Sequence, residues 1–139
     1  MKVQVSFIIP HKGREKFLLQ TVESIIAQDC DPAIFEILVI TQNESLEELA
    51  SLANSTTSLR IFYQPDNMTI SALRNFGVSQ AKGEYLAFLD ADVSLSTNWL
   101  GCMMETLSEK EERLLVSASQ INGTDAPPLE KIRTALSNA

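Results

Sequence analysis

Two hydrophobic periods alternate along the chain. Val3-Gln4-Val5-Ser6-Phe7-Ile8-Ile9 is β-branched and apolar and is cut by Pro10, the pattern of a buried strand. From Glu15 to Gln28, Phe17, Leu18, Val22, Ile25 and Ile26 recur at helical spacing, and Asp31-Pro32 closes that helix. Phe35–Ile40 is a second, almost wholly apolar strand. Ser45–Ala53 follows as a helix with Leu46, Leu49, Leu52 and Ala53 on one face and acids near its start, where they suit the helix dipole. Leu59–Tyr63 is a third strand, ended by Pro65-Asp66-Asn67.

The same alternation continues. Thr69–Ala81 predicts a helix with Ile70, Leu73, Phe76 and Gly77 inward, stopped by Lys82-Gly83 as a C-terminal glycine stop. Glu84–Leu89 is a fourth strand, ending at Asp90-Ala91-Asp92. Thr97–Leu107 is a helix capped at Ser96 or Thr97, Leu114–Ala118 a fifth strand, and Pro127–Leu136 a last helix with proline at its start. Near-continuous apolar strands between amphipathic helices imply an α/β fold: a mostly parallel sheet with helices on both faces. Ligands of such sheets bind beyond the carboxyl ends of the strands, so the segments after each strand hold the candidate chemistry.

Composition narrows the classes. The 139 residues make one domain the expectation; 45% apolar and 21% charged residues exclude a disordered or low-complexity chain. A formal net charge of -7 argues against broad binding of nucleic acid or anionic membrane, while leaving room for a small anion at a local site. Cys30 and Cys102 have no CxxC spacing and read as reduced thiols. No apolar run approaches a membrane span and the N-terminus carries no signal-peptide pattern, giving a cytoplasmic expectation.

The strand ends carry Pro10-His11-Lys12-Gly13-Arg14, Thr41-Gln42-Asn43-Glu44, Asp66-Asn67 and Asp90-Ala91-Asp92. Residues two apart in an extended segment point to one side, so Asp90 and Asp92 present two carboxylates together. That charge needs a balancing cation or hydrogen-bond donors, and hard oxygen ligands of this type suit Mg²⁺ or Mn²⁺ with substrate phosphates completing the shell. Arg74, on the helix after the third strand, can pair with a diphosphate or with an aspartate. The bland alternatives are polar loops, helix caps and a solvated arginine; Gly77 reads as a close-packing glycine, and Trp99 with Met103-Met104 as core.

Together these residues resemble a known family. Val5-Ser6-Phe7-Ile8-Ile9-Pro10 followed by Arg14, and Glu36-Ile37-Leu38-Val39-Ile40, resemble the first two strands of family 2 glycosyltransferases, which have the GT-A fold. Asn67 through Ala72-Leu73-Arg74-Asn75-Phe76-Gly77 resembles their N-x-x-x-x-A-R-N-x-G segment. Ala81–Asp92 resembles their A-x-G-E-Y-hydrophobic-x-F-L-D-x-D block, and Asn98-Trp99-Leu100 the helix beyond it. The resemblance implies a Rossmann-like GT-A nucleotide-binding domain over 1–139. It further implies inverting, hexosyl-type transfer from a UDP- or GDP-sugar to a saccharide or a lipid- or protein-linked acceptor, assisted by Mn²⁺ or Mg²⁺. It places Pro10, His11 and Gln42 at the base, with Arg14, Asn67, Arg74 and Asp90 also in the nucleotide site, and Asp92 with Asp90 on the metal.

Two segments depart from the family pattern. Its acids after the second strand are Thr41-Gln42-Asn43 here, although the Gln42 amide oxygen can accept the same hydrogen bond. Its aromatic two positions after the proline is Lys12, which cannot stack in that way. The 47 residues after Asp92 hold no recognisable acidic motif, so the general base and the acceptor half are expected outside this chain. A truncated sheet edge favours a homo-oligomer. Two other readings remain: a non-catalytic nucleotide-binding or scaffold domain of the same fold, and a haloacid-dehalogenase-like phosphatase, which also sets a D-x-D after an apolar strand.

Overall fold

The computed structural model describes residues 3–56, 58–108 and 115–118, with the backbone alone at 106–108 and 115–118. Five strands, β1 (Val5–His11), β2 (Phe35–Thr41), β3 (Leu59–Tyr63), β4 (Tyr85–Leu89) and β5 (Leu115–Ala118), alternate with α1 (Glu15–Ile26), α2 (Glu47–Ser55), α3 (Ile70–Gln80) and α4 (Trp99–Ser108). All pairings are parallel, in the order β3-β2-β1-β4-β5. The expected fold class holds, and the elements lie where the hydrophobic periods put them, with ends moved by one or two residues. The helix expected over Pro127–Leu136 lies outside the described residues.

Strand alternation sorts the core into two layers. Val5, Phe7 and Ile9 of β1, Phe35, Ile37 and Val39 of β2, and Ala87 and Leu89 of β4 pack with Leu18, Val22 and Ile25 of α1, Leu49 of α2, and Trp99, Leu100 and Met103 of α4. Ile8, Leu38 and Ile40 point the other way, onto Leu73 of α3 with Phe62, Phe76 and Phe88 around them. Gly77 lets α3 press against the sheet: a Cβ there would stand 2.6 Å from Ile8 Cγ2. Trp99 is buried and tilted against Phe7 at 5.9 Å, as a core residue.

Three local expectations change. β1 runs through Pro10 to His11, in register with Ile40 and Thr41. The Gln42 N–H donates to the His11 carbonyl, so Pro10, one residue back, turns its backbone away from β2. The pairing with β4 ends at Ile8↔Phe88, so the missing proline N–H breaks no ladder bond. Gly83 is no left-handed helix stop, since Gly13 alone has positive φ among the described residues. Its lack of a side chain instead admits β1, whose Ser6 N and Val5 C stand 2.7 and 2.8 Å from a Cβ position. Ile70 is not inward: it lies in the first turn of α3, at the sheet's carboxyl edge, and is 60% exposed.

Polar side chains tie distant elements together. No side chain caps α2 from its own N-cap position, and Glu15 of α1 accepts the Leu49 N–H at 2.8 Å instead. Buried Gln28 donates to the Ser96 carbonyl and accepts from the Leu100 N–H, pinning the segment before α4 to the end of α1.

Candidate functional site

Strand order reverses between β1 and β4, because the chain builds outward from β1 through β2 to β3 and then places β4 on the other side. Neighbouring carboxyl ends part at such a switch point and leave a crevice. A cleft of about 240 Å³ lies there, lined by Pro10, His11 and Lys12 after β1, Gln42 after β2, Ile70, Leu73 and Arg74 of α3, and Asp90 and Ala91 after β4. An enclosing ligand pocket is commonly 300–1,000 Å³, so this cleft suits part of a nucleotide-sized molecule. A second depression, reached across Gln42, is lined by Tyr63, Gln64, Pro65 and Asp66 with Asn43 and Glu44.

The loops around the cleft are fixed by their own side chains. The Asn43 amide donates to the Gly13 carbonyl at 2.6 Å and accepts the Gly13 N–H at 3.0 Å, joining the loops after β1 and β2. His11 is only 4% exposed. Its Nε2 lies 3.1 Å from the Arg14 carbonyl, an acceptor only, so Nε2 carries the proton. Nδ1, 2.9 Å from Thr41 Oγ, then accepts the hydroxyl proton, while Thr41 Oγ accepts the Asn43 N–H. Burial pushes the ring's pKa below its ordinary value, against smaller opposing effects of the Arg14 carbonyl and Glu15. Neutral His11 is therefore a brace with both nitrogens engaged, which leaves it poorly suited to act as a base.

Gln42 donates its amide N–H groups to the carbonyls of Met68, at 2.7 Å, and Pro65, at 3.1 Å. This holds the loop between β3 and α3 and fixes the amide's orientation. Its Oε1 has no protein donor among the described residues, so the group offers the cleft an acceptor. Arg74 reaches toward Asp90, Nη2 to Oδ1 3.9 Å, with side-chain exposures of 41% and 56%. A pair that long and that wet contributes little. The Arg74 Nε is buried and has no acceptor, a position that favours an incoming oxygen.

Five residues singled out from the sequence thus share one cleft: Pro10, His11, Gln42, Arg74 and Asp90. Three do not line it. Arg14 is exposed and contributes its carbonyl to His11, Asn67 is exposed in the turn before α3, and Asp92 is exposed beyond Ala91. The premise of an extended D-x-D fails, because the Val93 N–H returns to the Asp90 carbonyl at 3.3 Å and the segment turns. Sequence reasoning missed Ile70 as a lining residue, since its helical phase alone put it in the core.

A model of the glycosyl transferase family 2 matches residues 6–134. An uncharacterised glycosyltransferase of Rickettsia bellii (strain RML369-C) is 31% identical over 108 residues, covering 76% of this chain and 15% of that protein. The glycosyltransferase AglE of Haloferax volcanii is 28% identical over 107 residues, covering 75% of this chain and 35% of that protein. The crystal structure of S. aureus TarS 1-349 in complex with UDP-GlcNAc matches with a TM-score of 0.75 at 21% identity, covering 90% of this chain and 37% of that one. That likeness shows a shared fold. The chain spans well under half the length of each of these three proteins.

Proposed function

The chain belongs to glycosyl transferase family 2, and on that premise we propose that its 139 residues hold the nucleoside diphosphate of an activated sugar at the carboxyl edge of the sheet. The reaction served is transfer of a hexosyl unit, with inversion, from a UDP- or GDP-sugar to an acceptor hydroxyl. One observation carries the reading: four separate segments bring Pro10, Gln42, Arg74 and Asp90 to one cleft at the switch point. In this reading the Gln42 Oε1 accepts an N–H from the base, Arg74 faces the diphosphate, and Asp90 lies by the ribose or the metal's shell.

The metal assignment rests on the donor set. Among the described residues no three of His, Cys, Asp and Glu gather as a metal centre. Two exposed carboxylates instead fit an ion whose remaining ligands are water and substrate phosphates. Asp92 and Asp90 would hold Mn²⁺ or Mg²⁺, which when bound supplies Lewis-acid neutralisation of the leaving diphosphate. Lys12 and Arg74 add fixed positive charge in a chain whose net charge is -7.

Isothermal titration of the chain with UDP and with GDP, each with and without Mn²⁺, tests this. One nucleotide is expected to bind more tightly when Mn²⁺ is present, and Asp92→Ala is expected to abolish that metal-dependent gain. Arg74→Ala is expected to weaken binding roughly ten- to a hundredfold, the scale of a charge-assisted contact. Failure of both nucleotides to bind under every condition would overturn the reading in favour of a non-catalytic scaffold.

A further inference from the structure

A flat heteroaromatic base gains affinity by covering its faces, because its edge hydrogen bonds largely replace bonds to water. The cleft offers edge chemistry in the Gln42 Oε1, yet no aromatic side chain lines it among the described residues. Its apolar surface comes from Pro10, Leu73, Ala91 and Ile70. Leu73 is 1% exposed and belongs to the floor. Ile70, at 60%, is the most exposed of the exposed large hydrophobic residues Phe17, Tyr63, Ile70 and Val78, and it stands in the wall of a polar cleft.

Two features hold it there. The Thr69 hydroxyl caps α3 by accepting the Ala72 N–H at 3.1 Å, fixing the turn that carries Ile70. A β-branched side chain in a helix has one strongly preferred χ1 rotamer, so it loses little freedom when a ligand covers it. The rival surface is Tyr63, 46% exposed, but it lines the neighbouring depression and not the cleft that holds Arg74 and Asp90.

We propose that Ile70 is the apolar platform for the nucleobase, its exposed face covered when a nucleoside diphosphate binds. This rests on the donor-site reading above and assigns the residue that grips the base within it. Base affinity then comes from an aliphatic wall on α3 together with the Gln42 oxygen.

The test is titration of the full chain with UDP, GDP and the base-free probe ribose 5-diphosphate, using Ile70→Ser, Ile70→Trp and Tyr63→Ala, with thermal melts to verify folding. Ile70→Ser is expected to weaken the tighter nucleoside diphosphate about five- to tenfold, the worth of roughly half an aliphatic side chain's burial, and to leave ribose 5-diphosphate within about twofold. Ile70→Trp is expected to retain or tighten binding, with indole emission quenched by the nucleoside diphosphate and not by ribose 5-diphosphate; Trp99, being buried, is a constant background. Tyr63→Ala is expected to change nothing. Nucleotide binding that survives Ile70→Ser unchanged, equal loss for the base-free probe, or loss carried by Tyr63→Ala would overturn the platform while leaving the donor site standing. A wild-type chain that binds no nucleoside diphosphate would overturn both.

Discussion

The two ends of one sheet treat polar groups in opposite ways. At the amino end, Glu36 is 5% exposed and fully partnered. It accepts from Ser6 Oγ at 2.6 Å, the Lys82 N–H at 2.6 Å and Arg60 Nη2 at 2.7 Å. Arg60 Nη2 also donates to the Gln80 carbonyl, and the Gly83 N–H donates to Ser6 Oγ. At the carboxyl end, Arg74 and Asp90 stand 3.9 Å apart, the Arg74 Nε has no acceptor, and the Gln42 oxygen has no donor among the described residues. Ser6 and Glu36 lie on β1 and β2, two of the strands that end at the cleft. Interactions completed inside the protein stabilise the fold; those left incomplete are available to a ligand.

Removing Glu36 breaks that contrast most severely. Glu36→Ala leaves the Ser6 hydroxyl, the Lys82 N–H and the half-buried Arg60 without their carboxylate, and loss of hydrogen bonds to a buried charged acceptor costs about 3 kcal/mol. Urea unfolding should show that loss, while nucleotide affinity of the remaining folded protein stays near wild type. Burial by itself raises the Glu36 pKa, but the bonds from Ser6, Lys82 and Arg60 outweigh it and hold the carboxyl below its ordinary value. Its contribution is present above the unfolded-state pKa and is lost as pH falls through the folded value, so the variant should also lose part of the wild type's acid sensitivity. Unchanged stability in Glu36→Ala would remove the basis for calling this end structural.

Gly83→Ala comes next. A Cβ there would meet Ser6 Oγ at 2.6 Å and two backbone atoms of β1 at 2.7 and 2.8 Å. Backbone of a central strand cannot shift without disturbing its register, so the expected cost is about 1–3 kcal/mol by chemical denaturation. Gly77→Ala, which meets only side-chain atoms of Ile8 and Ile40, should cost less. The reverse ranking would place the tightest constraint at the α3 interface instead of the amino end.

The sequence made the strands, the parallel sheet and most of the cleft legible, because strand alternation and helical phase are local patterns and the cleft lies beyond the carboxyl ends of β1, β2 and β4. The misreadings have long-range causes. Glu36 sits inside an apolar run, and its partners Ser6, Arg60 and Lys82 are 30, 24 and 46 residues away, so no spacing announces the network. Ile70 has the phase of a core residue; its exposure depends on where the sheet ends relative to the first turn of α3. His11 does line the cleft, but the two ring bonds that make it a brace, to Thr41 and Arg14, depend on the tertiary approach of β1 to β2 and carry no local signal. The turn at Asp90–Val93 is likewise set by Val93 and Leu95 entering the core beyond it.

The mildest expected effect separates the two ends by pH. His11 is the chain's single histidine, so with carboxylates titrating lower, stability changes between pH 5.5 and 7.5 report chiefly on it. Burial lowers its folded pKa, while the unfolded ring protonates near the ordinary value of about 6.5. Below that pH the unfolded chain therefore takes up a proton that the native ring still refuses, and unfolding becomes easier. The contribution is fully present above the unfolded-state pKa and is lost as pH falls toward the folded one, with a slope of at most about 1.4 kcal/mol per pH unit. Urea unfolding at pH 7.5, 6.5 and 5.5 should show stability declining with acid, and His11→Gln should flatten the decline. Glu36 gives way only at lower pH, so the brace beside the cleft weakens before the network at the opposite end. Stability that rises on acidification, or an unchanged slope in His11→Gln, would show that the ring is not the neutral brace its two hydrogen bonds describe.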